Sequence, residues 1–260
     1  MTSKGKPARG SLSGLSLFED FENLFAVVVA DTIALKEAAY VIRHQTYQQH
    51  LGLEALGDAI DKYDDFAYHL LLMHRPSQRF AGTIRLITPR HQQHGLPFQE
   101  GEAQKNWKTN SKLSSLKPRE YSEVSKLAVA IDFQRRSTDQ NPLSENLNPI
   151  EEQGFAIGSH RDFPKITMGL CLASIALARQ LFHEYLFAVM PPTLSNKLKG
   201  YGLVFDRVSH VFDRHGAKAV YRLHVEQGVQ IVDSIYGMSD YISRQLAAQL
   251  HLLPDVNEQY

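Results

Sequence analysis

A single cysteine, Cys171, among 260 residues rules out a disulfide within the chain and a zinc site built on cysteines. Such sparing use of cysteine fits a reducing compartment, and a cytoplasmic location is expected. No apolar run reaches the roughly 18 residues of a membrane span. Lys4, Lys6 and Arg9 are not followed by an apolar stretch. Residues 1–20 therefore read as a flexible tail rather than a signal peptide. Excess charge is missing too: 28 Lys and Arg balance 28 Asp and Glu. A dedicated nucleic-acid binder usually carries a basic excess, so that class is set aside. The glycine patterns of P-loop and Rossmann folds are absent, as is a G-x-S-x-G elbow. His91 and His94 could share a helical face, but no acidic or cysteine ligand completes a set with them, and no metal is expected.

What is present suffices for one domain over residues 21–260. Hydrophobic residues make up 43% of the chain, enough to build a core. Leu24 to Ala30 is a short β-branched run and reads as a buried strand. Asp31-Thr32 then offers an N-cap for a helix carrying Tyr40, Arg43 and Tyr47 and stopped by Gly52. Ala67–Met73 and Ala81–Thr88 form a hairpin around a turn at Arg75–Arg79. A polar insertion near 89–120 should hold short surface helices. Glu123–Ile131 is the next strand, and a second polar insertion covers 137–163. Pro164 suits the first turn of an apolar helix over Lys165–Leu181, where its missing N–H costs little. Tyr185–Met190 is a strand, and Pro191-Pro192 opens a short helix ending near Gly200. Val204–Val208 and Ala219–Val225 are late strands, and Val229–Leu252 a helical tail. The order β-α-β-β-β-α-β-α-β-β predicts an α/β (α+β) fold, a mixed central sheet flanked by helices.

Four local patterns follow one another: Arg43-His-Gln-Thr-Tyr47, Asp61-Lys-Tyr-Asp64-Asp65, Gly82-Thr-Ile-Arg85-Leu86 and Glu123-Val-Ser-Lys126-Leu127. Together, over about residues 24–225, this set resembles the GNAT-fold acyl-homoserine-lactone (autoinducer) synthases. It is closer still to the N-acyl amino acid synthases and to the acyltransferases associated with bacterial exosortase systems. The resemblance implies a GNAT-like acyltransferase with a β-bulge and splayed central strands. Two departures speak against a lactone product. Lys126 stands where the autoinducer synthases carry Arg, replacing a planar fork by a point charge. Their Trp after the first helix is missing, since the one Trp is Trp107 in the insertion. After Ile131 the sequence runs Asp-Phe-Gln-Arg135-Arg136, without the R-x-x-G-x-G loop of acetyl-CoA-dependent members. That favours an acyl-phosphopantetheine arm delivered by acyl carrier protein over acyl-CoA as donor, with no tightly bound cofactor.

The residues carry this chemistry on their own terms. Arg85 sits mid-strand between Ile84 and Leu86, and a charge there needs partners. Asp61, Asp64 and Glu123 are the carboxylates on offer, as a structural network or as an acceptor site. Amide formation from a thioester needs a neutral amine, and Glu123 is the candidate base. On an ideal strand Glu123 and Lys126 would face opposite ways. They share a face only across a bulge; the resemblance implies a bulge on this strand, expected near Ser125–Ala128. A backbone N–H of Leu127, Ala128 or Val129 could then polarise the thioester carbonyl. Arg43 and Tyr47, four apart, share a helix face, which the resemblance places at the site wall.

Other assignments stay open. Arg135 and Arg136 could meet the pantetheine phosphate or form a solvated turn. Lys105, Lys108, Lys112, Lys117, Arg119, Arg161 and Lys165 could greet an acidic carrier protein or simply be surface. Met168, Leu170, Leu172, Ile175, Leu177 and Leu181 read as core before acyl tunnel, and Cys171 as an inert buried thiol. The resulting expectation is transfer of a medium or long fatty acyl group from acyl carrier protein to the α-amine of an amino acid, by direct attack. The alternatives are an autoinducer synthase using S-adenosylmethionine and a non-catalytic carrier-protein-binding module.

Overall fold

The computed structural model describes residues 21–51, 59–89, 95–111, 113–117, 120–134, 163–236 and 239–250. A short helix α1 (Phe21–Leu24) leads into strand β1 (Phe25–Val29), and helix α2 (Ile33–Leu51) follows. Thr32 caps α2 as its sequence suggests, its hydroxyl accepting the Leu35 N–H at 3.3 Å. Strands β2 (Ala67–His74) and β3 (Arg79–Ile87) make the hairpin. The first insertion holds short helical turns, among them Pro97–Gln99 and helix α3 (Gly101–Lys105), before strand β4 (Tyr121–Val129). Helix α4 (Phe163–Gln180), strand β5 (Tyr185–Met190) and helix α5 (Pro192–Gly200) come next. Strands β6 (Asp206–Arg207), β7 (Phe212–Asp213) and β8 (Ala217–His224) precede helices α6 (Val225–Tyr236) and α7 (Ser239–Leu250).

Three sequence expectations need correction. The strand expected over 204–208 shrinks to Asp206–Arg207, and β7 was not foreseen. The tail is two helices rather than one. The first insertion is not merely surface: Leu96, Phe98, Ala103 and Leu113 are buried in a cluster with Tyr121 and Phe187. The tail 1–20 and most of the second insertion lie outside the described residues.

The strands form one sheet in the order β1-β2-β3-β4-β5-β8-β6, with β7 on the outer part of β8. β4 and β5 run parallel; the other pairs are antiparallel. Helix α4 is apolar nearly all round because it lies between the sheet and helices α6 and α7. It buries Leu70, Leu72, Ile84, Leu86, Leu186, Ala188 and Leu223 beneath it in the main core. The opposite face carries two smaller apolar clusters, one around Phe98 and Phe187 and one around Ala39, Ile42 and Leu71. Arg43, Asp64, His69, Arg85 and Glu123, all buried, also belong to that opposite side.

β4 and β5 are paired only from Tyr121↔Tyr185 to Val124↔Ala188. Beyond that point no register joins Ser125–Val129 to Val189 and Met190, so the strands splay. On its other edge β4 pairs Ser125 with Arg85 and Ala128 with Thr83. Lys126 and Leu127 therefore both oppose Ile84, which is a β-bulge at the expected place. Lys126 takes the left-handed conformation there, with φ of 54°. Gly82 accommodates the bulge: a Cβ on it would come within 2.8 Å of the Ala128 carbonyl oxygen.

A candidate active site in the split between β4 and β5

The splayed strands enclose a cavity of about 380 Å³. Strand alternation shows that it passes through the sheet. Glu123, Ser125 and Arg85 line it from one face, while Val124, Leu127, Leu186, Ala188 and Met190 line it from the α4 face. The bulge adds one residue, Lys126, and shifts the alternation of β4, so that Val124 and Leu127 both face the α4 core. Glu123 and Lys126 therefore reach the same side, where Lys126 stands 3.5 Å from Asp61 Oδ2 and over the Tyr47 ring. Cys171 and Ser174 from α4, with Leu194, Leu198 and Phe205, close the apolar end.

Arg85 is only 1% exposed, and its charge is met as its sequence position demands. It grips Asp61 with two nitrogens at 2.6 and 3.2 Å and lies 3.0 Å from Asp64 Oδ2. Its Nε donates to Ser125 Oγ at 3.0 Å. Asp61 is held below the usual carboxylate range by these bonds to Arg85 and by Lys126, which together outweigh its burial. Burial lowers Lys126 from the ordinary lysine value, against the pull of Asp61. Burial likewise pushes the Tyr47 phenol up to about 12, so it is a neutral hydroxyl at the wall.

Glu123 stands apart from the ion pairs. Its Oε2 accepts the backbone N–H of Phe98 at 2.8 Å, and among the described residues it joins no salt bridge. Burial pushes its carboxyl up to about 8, only partly countered by the Phe98 N–H and the charge of Arg85. A carboxyl poised there can take a proton near neutral pH. The expected fourfold cluster is thus two units: Arg85 with Asp61 and Asp64, and Glu123 on its own clamp.

Arg43 and Asp64 do not reach the cavity wall, contrary to the sequence expectation for both. Arg43 is fully buried behind it, donating to Asp64 Oδ1 and to His69 Nδ1, each at 2.8 Å. An arginine only donates, so Nδ1 of His69 accepts and the imidazole carries its proton on Nε2. Nε2 faces the Asp64 carbonyl oxygen at 3.4 Å. Burial and the Arg43 charge hold His69 down near 3, hence neutral. The sharing of one face by Arg43 and Tyr47 holds, yet only Tyr47 lines the cavity. Of the three backbone candidates only Leu127 does so; Ala128 and Val129 are paired with Thr83 and Gly82 and lie off the cavity. Arg135 and Arg136 lie outside the described residues, as do Lys112, Arg119 and Arg161. Lys105 is tied to Glu102, and Lys108 donates to the Arg207 carbonyl.

Residues 42–141 match the family model described as an acetyltransferase (GNAT) domain. That span contains the cavity-lining residues from Tyr47 to Leu127, Arg85 and Glu123 among them. The match covers less than half of the chain, and around it the chain has a GNAT-like fold. The N-acyl amino acid synthase FeeM from uncultured soil microbes superposes with a TM-score of 0.51 at 17% identity, over 84% of this chain and 97% of that chain. The AHL synthase LasI gives 0.52 at 14% identity, over 82% and 94%. TofI, in a ternary complex with an inhibitor and MTA, gives 0.55 at 14% identity, over 81% and 96%. At these identities the likeness is one of fold. No curated protein matches the chain in sequence.

Several residues of the candidate site escaped the sequence reading. Phe98 sits in a polar insertion, and its contribution is a backbone N–H, which no side-chain pattern reveals. Ser125 was legible in principle, since it is two residues from Glu123 on one strand face. Arg214, His215 and Lys218 also line the cavity; they flank a turn too short to signal itself. Among the described residues no helix is long and apolar enough to cross a membrane, and no cluster of three His, Cys, Asp or Glu could hold a metal ion.

Proposed function

We propose that the protein is an acyltransferase that moves a fatty acyl group from an acyl-phosphopantetheine thioester, carried by acyl carrier protein, to the α-amine of an amino acid. The observation that carries this reading is the slot through the sheet, with an ionisable Glu123 on its polar side and an apolar pocket on the other. Glu123 takes a proton from the acceptor ammonium. The amine nitrogen then attacks the thioester carbonyl carbon, the C–N bond forms and the C–S bond breaks. The second amine proton goes, directly or through water, to the departing sulfur, which leaves as a thiol. No acyl group is held on the protein in this route. The thiol of Cys171 supports it, since burial pushes it up to about 12 and keeps it an inert thiol.

On this reading the Leu127 N–H, at the bulge, stabilises the oxyanion that forms on the carbonyl. Arg85, Asp61 and Lys126 fix the acceptor side, and Tyr47 covers it. Cys171, Ser174, Leu194, Leu198 and Phe205 receive the acyl chain. Arg135 and Arg136, which follow β4 in sequence, meet the phosphate of the arm. A cytoplasmic location, where acyl carrier protein is made and charged, goes with this reading.

The test is transfer from an acylated carrier protein to a mixture of amino acids, read by mass spectrometry of N-acyl products and by release of thiol. Glu123→Gln should lower the rate by about 10²- to 10⁴-fold. A homoserine lactone product, or no transfer from either an acylated carrier protein or acyl-CoA, would sink the proposal.

A further inference from the structure

β7 and β8 form a narrow hairpin in which Phe212 pairs with Lys218 and Asp213 with Ala217. Its turn is fixed by two residues in left-handed conformations, His215 with φ of 54° and Gly216 with φ of 96°. The Arg214 N–H closes it on the Gly216 carbonyl at 3.1 Å. Arg214, His215 and Lys218 all line the slot that holds Glu123 and Lys126. Ala219, Tyr221 and Leu223 pack toward α4, whereas Val220 belongs to the Phe187 cluster. By alternation Lys218 projects with Val220, on the polar side of the slot.

Two cations thus stand together on the Glu123 side. Lys218 is half-buried and lowered from the ordinary lysine value, first by burial and then by the Arg214 charge. Asp213 is the carboxylate that opposes this. Neither Lys218 nor Arg214 makes a salt bridge among the described residues. The Arg214 guanidinium acts on the Glu123 carboxyl across the slot. A half-buried cation beside a second cation is an arrangement that a bound anion relieves.

We propose that Arg214 and Lys218 form an anion subsite that takes the carboxylate of the acceptor while Glu123 faces its amine. This rests on the acyl-transfer reading of the slot and specifies the acceptor as a zwitterion with amine and carboxylate close together. The cationic pair is set apart from the apolar pocket, so it selects the acceptor rather than the acyl chain. Arg214 supplies a fork suited to two carboxylate oxygens, and Lys218 a point charge beside it.

The test compares an amino acid with its neutral carboxamide as acceptors, at fixed acylated carrier protein, for wild type and for Arg214→Ala, Lys218→Ala and Arg214→Lys. Wild type should show a KM for the amino acid about ten- to hundredfold below that for the amide. Each alanine variant should lose most of that preference by raising KM for the amino acid and not for the amide. Arg214→Lys should recover part of it. The donor is varied in a second arm, between acyl-CoA and an acyl-N-acetylcysteamine that lacks phosphate. A rise in KM confined to acyl-CoA would assign the pair to a donor phosphate and overturn the proposal. Equal use of acid and amide by wild type would overturn it while leaving acyl transfer intact. Transfer to neither acceptor would fail the acyl-transfer reading itself, and this inference with it. Thermal unfolding of each variant separates these effects from loss of fold.

Discussion

The backbone N–H of Phe98 holds the carboxyl of Glu123 at 2.8 Å, so the segment between β3 and β4 positions the ionisable group that β4 presents. Phe98 is itself locked by stacking on Phe187 with ring centroids 4.2 Å apart and planes 9° from parallel. Phe187 pairs in register with Glu123 across β4 and β5. The three residues form one unit at the point where those strands part, and the predictions about Glu123 follow from it.

Glu123 should govern the pH dependence of both activity and stability. Its carboxyl is raised from 4.5 to about 8 in the folded chain. The folded state therefore holds this proton more tightly than the unfolded chain. Stability from this group is full below pH 4.5 and is lost as pH rises through about 8. Activity runs the other way, because the base form accumulates over the same range. For wild type, kcat/KM should rise toward a plateau above pH 8 while the unfolding midpoint in urea falls. Glu123→Gln should remove the Glu123 contribution to both slopes. A variant that kept the wild-type pH–rate profile would exclude Glu123 as the base.

Arg43 should matter to folding more than to substrate binding. It is fully buried behind the slot and answers the charge of Asp64. Removing one partner of a buried pair costs about 3–5 kcal/mol, and Arg43→Met should fall toward the lower end because Arg85 still reaches Asp64. Urea unfolding measures this loss. The KM for acceptor should change little in the folded fraction; a rise matching that of a slot-lining variant would return Arg43 to the binding wall.

Cys171 should set chain length without taking part in bond making. Cys171→Ala should keep the wild-type turnover number, since the thiol is protonated and the proposed direct attack forms no acyl-enzyme. Cys171→Phe should shift the products toward shorter acyl chains and cost about 1–3 kcal/mol of stability through overpacking. Lipid profiling of cells expressing each variant gives the chain distribution. Loss of all transfer in a folded Cys171→Ala protein would contradict direct attack.

Gln245 and Gln249 on α7 should guard the outer edge of the sheet. Their side-chain oxygens accept the N–H groups of Val27 and Val29 at 2.7 and 2.8 Å, and Gln249 Nε2 donates to the Val27 carbonyl at 2.9 Å. Two amide side chains thus stand in for a neighbouring strand. Gln245→Ala with Gln249→Ala should cost about 1–3 kcal/mol per orphaned group and expose a pairing edge. Light scattering at rising concentration should then show association absent from wild type.

Much of this architecture was legible in the chain. The Glu123–Lys126 spacing sits badly on a regular strand, and together with the resemblance to GNAT-fold synthases it pointed to the bulge. Arg85 between two aliphatic residues announced its need for carboxylates, which Asp61 and Asp64 supply. Other features were hidden for physical reasons. Residues four apart on a helix share a face, but the spacing does not say which lies deeper, so Arg43 and Tyr47 looked alike. The role of His69 depends on Arg43 reaching it from another element. Arg214 follows the two-residue β7, too short for a periodic signal, and only the sheet order brings it and Lys218 to Glu123.

The gap between β4 and β5 pierces the sheet instead of denting one side of it. For the reaction proposed, thioester and amine can then approach from opposite surfaces, and neither must depart before the other arrives. Initial-rate plots with both concentrations varied should therefore show lines that intersect rather than run parallel.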